Sequence, residues 1–262
     1  MNRRKLYILI TIVITSYLHV ACSQGSANEI VARESSAEEI TAARMEAEQL
    51  FAQRADLGKL REAISTTARL RNPNKRDYDV EWTFARYNYF LGRHSGDDTE
   101  SEKAFTIGRD AARIAMNVDP ARSEGHFWYG ANLGELCKRS PVTVGIRFVG
   151  EVREAMKKVI ETDPGYQGAS AFDVLGQVEL ATRIKDGTAE KAVEYLEKGL
   201  EYEKSNSSIY LHLAEAYRAV DRDAEAKTML ETVLKMQPAP DYVPEHKETV
   251  AAARKLLETK FN

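Results

Sequence analysis

An all-α solenoid of about five helical hairpins closed by a C-terminal capping helix is the fold this sequence predicts, on three observations. First, the last third carries one apolar/small/aromatic spacing twice: Tyr210, Leu213, Ala214, Tyr217, Ala226, Leu230 and Pro238, and upstream Phe172, Leu175, Gly176, Ala192 and Leu196. Second, prolines that close apolar-periodic stretches (Pro73, Pro120, Pro164, Pro238) recur at intervals of 47, 44 and 74 residues. Proline cannot continue a helix, so such a series punctuates helix pairs. Third, beyond residue 22 no run alternates Val, Ile and Thr, so a sheet has nothing to be built from. The 29% of charged residues suits helices with solvated outer faces.

The chain opens on an address. Basic Arg3, Arg4 and Lys5 precede the apolar run Leu6–Leu18, then His19-Val20-Ala21 leads to Cys22. A run this short suits a secretory signal better than a bilayer-spanning helix. Ala21 before Cys22 resembles the cleavage site of a bacterial lipoprotein signal, which implies residues 1–21 as a signal peptide and Cys22 as a lipidated first residue. His19 stands where that pattern prefers Leu; plain secretion and an uncleaved anchor are the alternatives. Ser23 is not the Asp that would alter sorting to the outer membrane, so the expected location is the periplasmic face of a bacterial membrane, the outer one by preference. Residues 22–36 then form a small, polar tether. With Cys22 acylated, Cys137 has no disulfide partner and reads as a small buried hydrophobe.

The predicted solenoid occupies residues 37–262. Ala47, Leu50 and Phe51, then Leu57, Leu60, Ala63 and Ile64, give the first hairpin across Asp56-Leu57-Gly58. Trp82, Ala85, Tyr89 and Phe90 open the second, which resumes at Ala104–Val118 after a polar stretch at Gly92–Glu102. The third opens at His126–Gly130 and closes at Asp163-Pro164, with an apolar insertion over residues 138–151. That insertion is expected either to fold back onto the core or to shape or lid a ligand site. The most regular repeats lie at 169–204 and 207–240. The helix at 244–261 bears one apolar stripe, Val250, Ala253, Leu257 and Phe261, as a cap must.

The spacing in the last third is that of the 34-residue tetratricopeptide (TPR) repeat. Phe127–Gly134, the insertion with Val149–Met156, and the turn Ala239–Glu245 resemble bacterial TPR lipoproteins associated with TRAP-type transporters. The layout is also similar to the TPR-like regulator of microtubule dynamics family. The resemblance spans roughly residues 37–261. Its first branch implies a lipid-anchored periplasmic solenoid that partners a solute-binding subunit and holds a hydrophobic small ligand; neither branch supplies catalytic residues.

Charge excludes one partner class. The chain sums to −3, and without its first 21 residues it holds 34 basic against 40 acidic side chains, the reverse of a nucleic-acid binder. No phosphate-binding glycine loop, nucleophile elbow, H-E-x-x-H or paired metal-spaced cysteines occur, so no enzyme, cofactor or metal site is read. His212 reads as a hydrogen-bonded structural residue rather than a metal ligand. What remains is the concave face. An offset of one position from the packed stripe assigns to it Tyr87, Phe90 and Phe127, then Asp173 and Gln177, then Leu211, Glu215 and Arg218, grading from aromatic to charged. The same offset puts Phe127 in the groove and Trp128 in the core. The expected function is a membrane-anchored scaffold for another protein; the alternative is a transport accessory carrying a hydrophobic ligand.

Overall fold

The computed structural model describes residues 37–238 and 240–261. The signal, Cys22 and the tether lie outside the described residues. Eleven α-helices follow in order among the described residues: α1 Ala37–Phe51, α2 Leu57–Leu70, α3 Tyr78–His94, α4 Asp98–Val118, α5 Ser123–Arg139, α6 Ile146–Thr162, α7 Tyr166–Ala181, α8 Ala189–Tyr202, α9 Ser207–Ala219, α10 Asp223–Lys235 and α11 Val243–Lys260. Consecutive pairs make five hairpins and α11 stands as the sixth inner helix. Each helix packs chiefly on its neighbours in the chain, as solenoid helices do.

Local chemistry sets the boundaries. Asp56, Asp77, Asp97, Thr188 and Asn206 cap helix starts by accepting backbone N–H groups, Asp97 from Thr99 at 2.7 Å. Helices α2, α4, α6 and α10 end two or three residues before the prolines that announced them. The polar stretch 92–102 breaks the helices far less than its composition suggests: Gly92–His94 stay in α3, and the turn is only Ser95–Asp97. Asp97 caps α4 there, so the acids of the stretch favour the helix start instead of opposing it.

The insertion is also helical. After α5 a single π-turn, Pro141–Gly145, runs directly into α6. No separate flap forms. Val149 is buried and Val144 and Phe148 pack on the core, whereas Val142 and Ile146 stay exposed.

The core is continuous in three overlapping clusters, around Leu60 and Tyr87, around Trp128 and Leu175, and around Leu196, Ile209 and Leu230. Close approach between helices depends on small residues. A Cβ on Gly176 would meet Leu196 Cγ at 2.6 Å, and one on Gly108 would meet Asn132 Oδ1 at 2.3 Å. Helix α11 covers the last repeat as a cap, with Ala253 fully buried and Val250, Leu256, Leu257 and Phe261 packed on the α9–α10 cluster. Leu256 joins the predicted stripe, which is therefore wider than the sequence pattern indicated.

Candidate functional site

The odd-numbered helices from α3 to α11 face inward and line a partly open cavity of about 990 Å³. Each contributes side chains at helical spacing, because one face of a helix recurs every three to four residues. Thus α3 supplies Phe90, Arg93 and His94; α5 supplies Phe127, Ala131, Glu135 and Lys138; α7 supplies Ser170, Asp173 and Gln177. Leu211 and His212 come from α9, and Glu245, Glu248 and Thr249 from α11.

One wall is aromatic. Trp128 lies 5.0 Å from Phe127, 5.5 Å from Tyr89 and 6.1 Å from Phe90 between ring centroids. Its indole N–H donates to the Tyr166 hydroxyl at 3.1 Å. The division between a groove Phe127 and a core Trp128 does not hold: the two are 5% and 2% exposed, and both line the cavity. Large rings on adjacent helical positions reach the same concave space, so the angular offset between their Cβ atoms does not separate them. Cys137 lines the same wall, its thiol directed at the Val144 carbonyl at 3.8 Å. Burial, with Glu151 adding to it, pushes that thiol up to about 11, so it is protonated and unreactive at neutral pH.

The other wall is a relay of polar contacts crossing five helices. Glu248 accepts from Arg93 at 3.3 Å and lies 3.1 Å from His94 Nε2. Arg93 faces Glu135 at 3.6 Å, and Lys138 donates to both Glu135 and Gln177 at 3.1 Å. Gln177 donates to Asp173 at 3.2 Å, and Asp173 meets His212 Nδ1 at 2.6 Å. Burial opposes a charged His212, but the Asp173 carboxylate outweighs it and raises the imidazole above its ordinary value. His212 therefore has the structural partner its sequence position suggested. Among the described residues no three His, Cys, Asp or Glu side chains group to hold a metal ion.

A strained segment borders the cavity. Gln167, Gly168 and Ala169 all have positive φ, so the regular part of α7 starts at Ser170. Asn206 holds this turn by donating to the Gly168 carbonyl at 2.7 Å. Nothing in the sequence pattern marked it, since only one of the three is glycine.

Five of the eight groove residues come together here: Phe90, Phe127, Asp173, Gln177 and Leu211. Three do not. Tyr87 is fully buried and stacks on Phe51 at 4.6 Å, because the α1–α2 hairpin covers that side of α3. Glu215 is exposed outside the cavity, and Arg218 lies over the Phe261 ring at 5.6 Å, where α11 packs. Sequence reasoning missed Arg93, His94, Glu135, Lys138, Glu245 and Glu248. Their charged pairing spans hairpins far apart in sequence and leaves no local signal.

Hairpins stacked with one inner and one outer helix, ringing a concavity, define a TPR-like solenoid. The chain belongs to the regulator of microtubule dynamics protein 1-3 family, whose model matches residues 45–260. No curated protein sequence matches it. Among solved structures it is similar to a thermophilic TPR protein of Thermus thermophilus, at 18% identity and a TM-score of 0.59, over 82% of this chain and 99% of that one. It is also similar to PilF of Pseudomonas aeruginosa, at 19% identity and a TM-score of 0.50, over 85% and 94% of the two chains. At such identities these neighbours attest the fold alone.

Proposed function

We propose that this chain is a non-enzymatic interaction scaffold, tethered through lipidated Cys22 to the periplasmic face of a bacterial membrane. Its concavity receives a segment of a partner protein. The observation that carries this reading is the cavity itself: about 990 Å³, aromatic on one wall and hydrogen-bonding on the other, built from the inner helices of every hairpin after the first. That combination suits an amphipathic segment, apolar side chains against Phe90 and Phe127 and polar ones along Gln177 and Asp173. The TRAP-lipoprotein resemblance makes a periplasmic solute-binding subunit the first partner to try. Tethering adds affinity by raising the local concentration of any membrane-associated partner.

The volume also favours a second reading. It sits at the upper end of the range for small-molecule sites, roughly 300–1,000 Å³, so a hydrophobic ligand against Phe127 and Trp128 is the alternative. One experiment separates the two. Wild type and Gln177→Trp, which fills the cavity from a half-buried position, are purified from native membranes after gentle solubilisation. A protein retained by wild type and lost from the variant supports the scaffold. An apolar compound at stoichiometric level in the organic extract, again lost from the variant, supports the carrier. Identical content in both preparations contradicts the assignment of the cavity as the site.

A further inference from the structure

Ordinary solenoids touch only along neighbouring repeats, so their two ends stay apart. Here the last helix returns to the first two hairpins. Arg54, in the α1–α2 turn, grips Glu245 of α11 through its Nε at 3.1 Å and Nη2 at 3.0 and 3.1 Å. At the end of α3, Arg93 reaches Glu248 at 3.3 Å and His94 reaches it at 3.1 Å. These contacts join residues 154 to 191 positions apart. The two kinds of α11 contact differ in chemistry. Among the described residues, its core-packed apolar side chains, Val250, Ala253, Leu256 and Leu257, all belong to the α9–α10 cluster, and none joins the clusters of the first three hairpins. One side of α11 is thus held by apolar burial and the other by charge.

We infer that the Arg54–Glu245 and Arg93/His94–Glu248 contacts form an ionic latch that closes the ring of inner helices, and that its opening admits the occupant of the cavity. This rests on the cavity being the binding site, and it adds how that site is regulated. The asymmetry makes the latch the place where the ring parts. The Arg93 and His94 contacts to Glu248, at 40%, 26% and 48% side-chain exposure, contribute little net stability and weaken first as salt screens them, whereas the apolar seam of α11 is not weakened by salt. Arg54 and Glu245 are the more sheltered pair, at 10% and 25% side-chain exposure, and Arg54 also sits over the Phe51 and Phe90 rings at 5.0 and 5.1 Å. Release of the latch therefore alters the cover over Phe90, part of the aromatic wall. It also cuts the polar relay at its Glu248 end. Opening and a change in the cavity lining are then one event.

The test is a distance measurement that needs no partner, so it succeeds or fails independently of the scaffold assignment. Spin labels are placed at Ala55→Cys, beside Arg54, and Glu258→Cys, exposed on α11 about 20 Å along the helix from Glu245. The full chain carries Cys22→Ser and Cys137→Ala, and distances are read by pulsed electron resonance at about 50 mM and about 1 M salt. The latch predicts one narrow, short distance at low salt and a longer, broader distribution at high salt. Glu245→Gln with Glu248→Gln should give the long distribution at both salt levels, with the far-UV helix signal unchanged. A wild-type distance that ignores salt overturns the inference, and so does a double variant as short and narrow as wild type. The salt arm needs no mutation at the latch, so it decides the matter even where the double variant folds poorly.

Discussion

Truncation of Trp128 is the sharpest probe of how the cavity wall is built. The side chain is 2% exposed, contacts the rings of Tyr89, Phe90 and Phe127 within about 6 Å, and donates to Tyr166 at 3.1 Å. Trp128→Ala should cost about 3–5 kcal/mol as a large core truncation. For a domain of this size each kcal/mol lowers the melting midpoint by about 2–4 °C, which gives a fall of about 6–20 °C. Trp128→Phe keeps most of the packing and leaves the Tyr166 hydroxyl without its donor, for about 1–3 kcal/mol. Phe127→Ala, at 5% exposure and 5.2 Å from the Tyr166 ring, should cost nearly as much as Trp128→Ala. The assay is urea unfolding by far-UV circular dichroism, comparing midpoints at constant slope. A changed slope would mean that the repeats no longer unfold together. If Phe127→Ala costs under about 1 kcal/mol while Trp128→Ala costs the full amount, the shared-wall reasoning is wrong and Phe127 lies free in an open groove.

Four further outcomes follow from the same structure. Gly108→Ala should destabilise by about 1–3 kcal/mol, read as a lower urea midpoint, because Asn132 is pinned by donating to the Trp128 carbonyl at 2.7 Å and cannot yield to the new methyl. The His212–Asp173 pair should stabilise the fold more at low pH. A raised folded-state pKa gives stability that is complete below the unfolded value near 6.5 and lost as pH rises through the folded one, so the midpoint gap between wild type and Asp173→Asn should narrow as the pH rises above about 6.5. Deleting residues 243–262 should lower the melting midpoint and solubility, since Ala253 and its neighbours cover the last repeat; an unchanged melting curve would refute the capping role. Cys22→Ser should move the protein from the membrane to the soluble fraction on cell fractionation, and retention at wild-type level would rule out lipid anchorage through Cys22.

Much of the solenoid was legible because its signals are local. The closing prolines and the large/small pairs such as Leu175-Gly176 act within one hairpin, and the helices end within a few residues of the prolines. The insertion was harder to read, since Pro141, Gly145 and Gly150 hide a helical pattern that a π-turn accommodates. The groove was half legible. A one-position offset found Phe90, Phe127, Asp173, Gln177 and Leu211, but it ignores what covers each helix, and so it assigned to the groove Tyr87, which α1 covers, and Arg218, which packs at the end of α11. The charged relay and the contact between Arg54 and Glu245 were invisible in sequence. Which Arg meets which Glu across 191 residues depends on the curvature of the whole stack, and no local spacing encodes it.

The scaffold reading turns on which face of the solenoid meets its partner. A photo-crosslinking residue at Lys138 or Lys185, exposed on the cavity rim, compared with one at exposed Lys198 on the outer helix α8, reads this in native membranes. A partner seated in the concavity gives an adduct of one defined mass from the cavity positions and none from Lys198. Adducts from Lys198 with none from Lys138 or Lys185 would place the binding surface on the convex side and contradict a concave site.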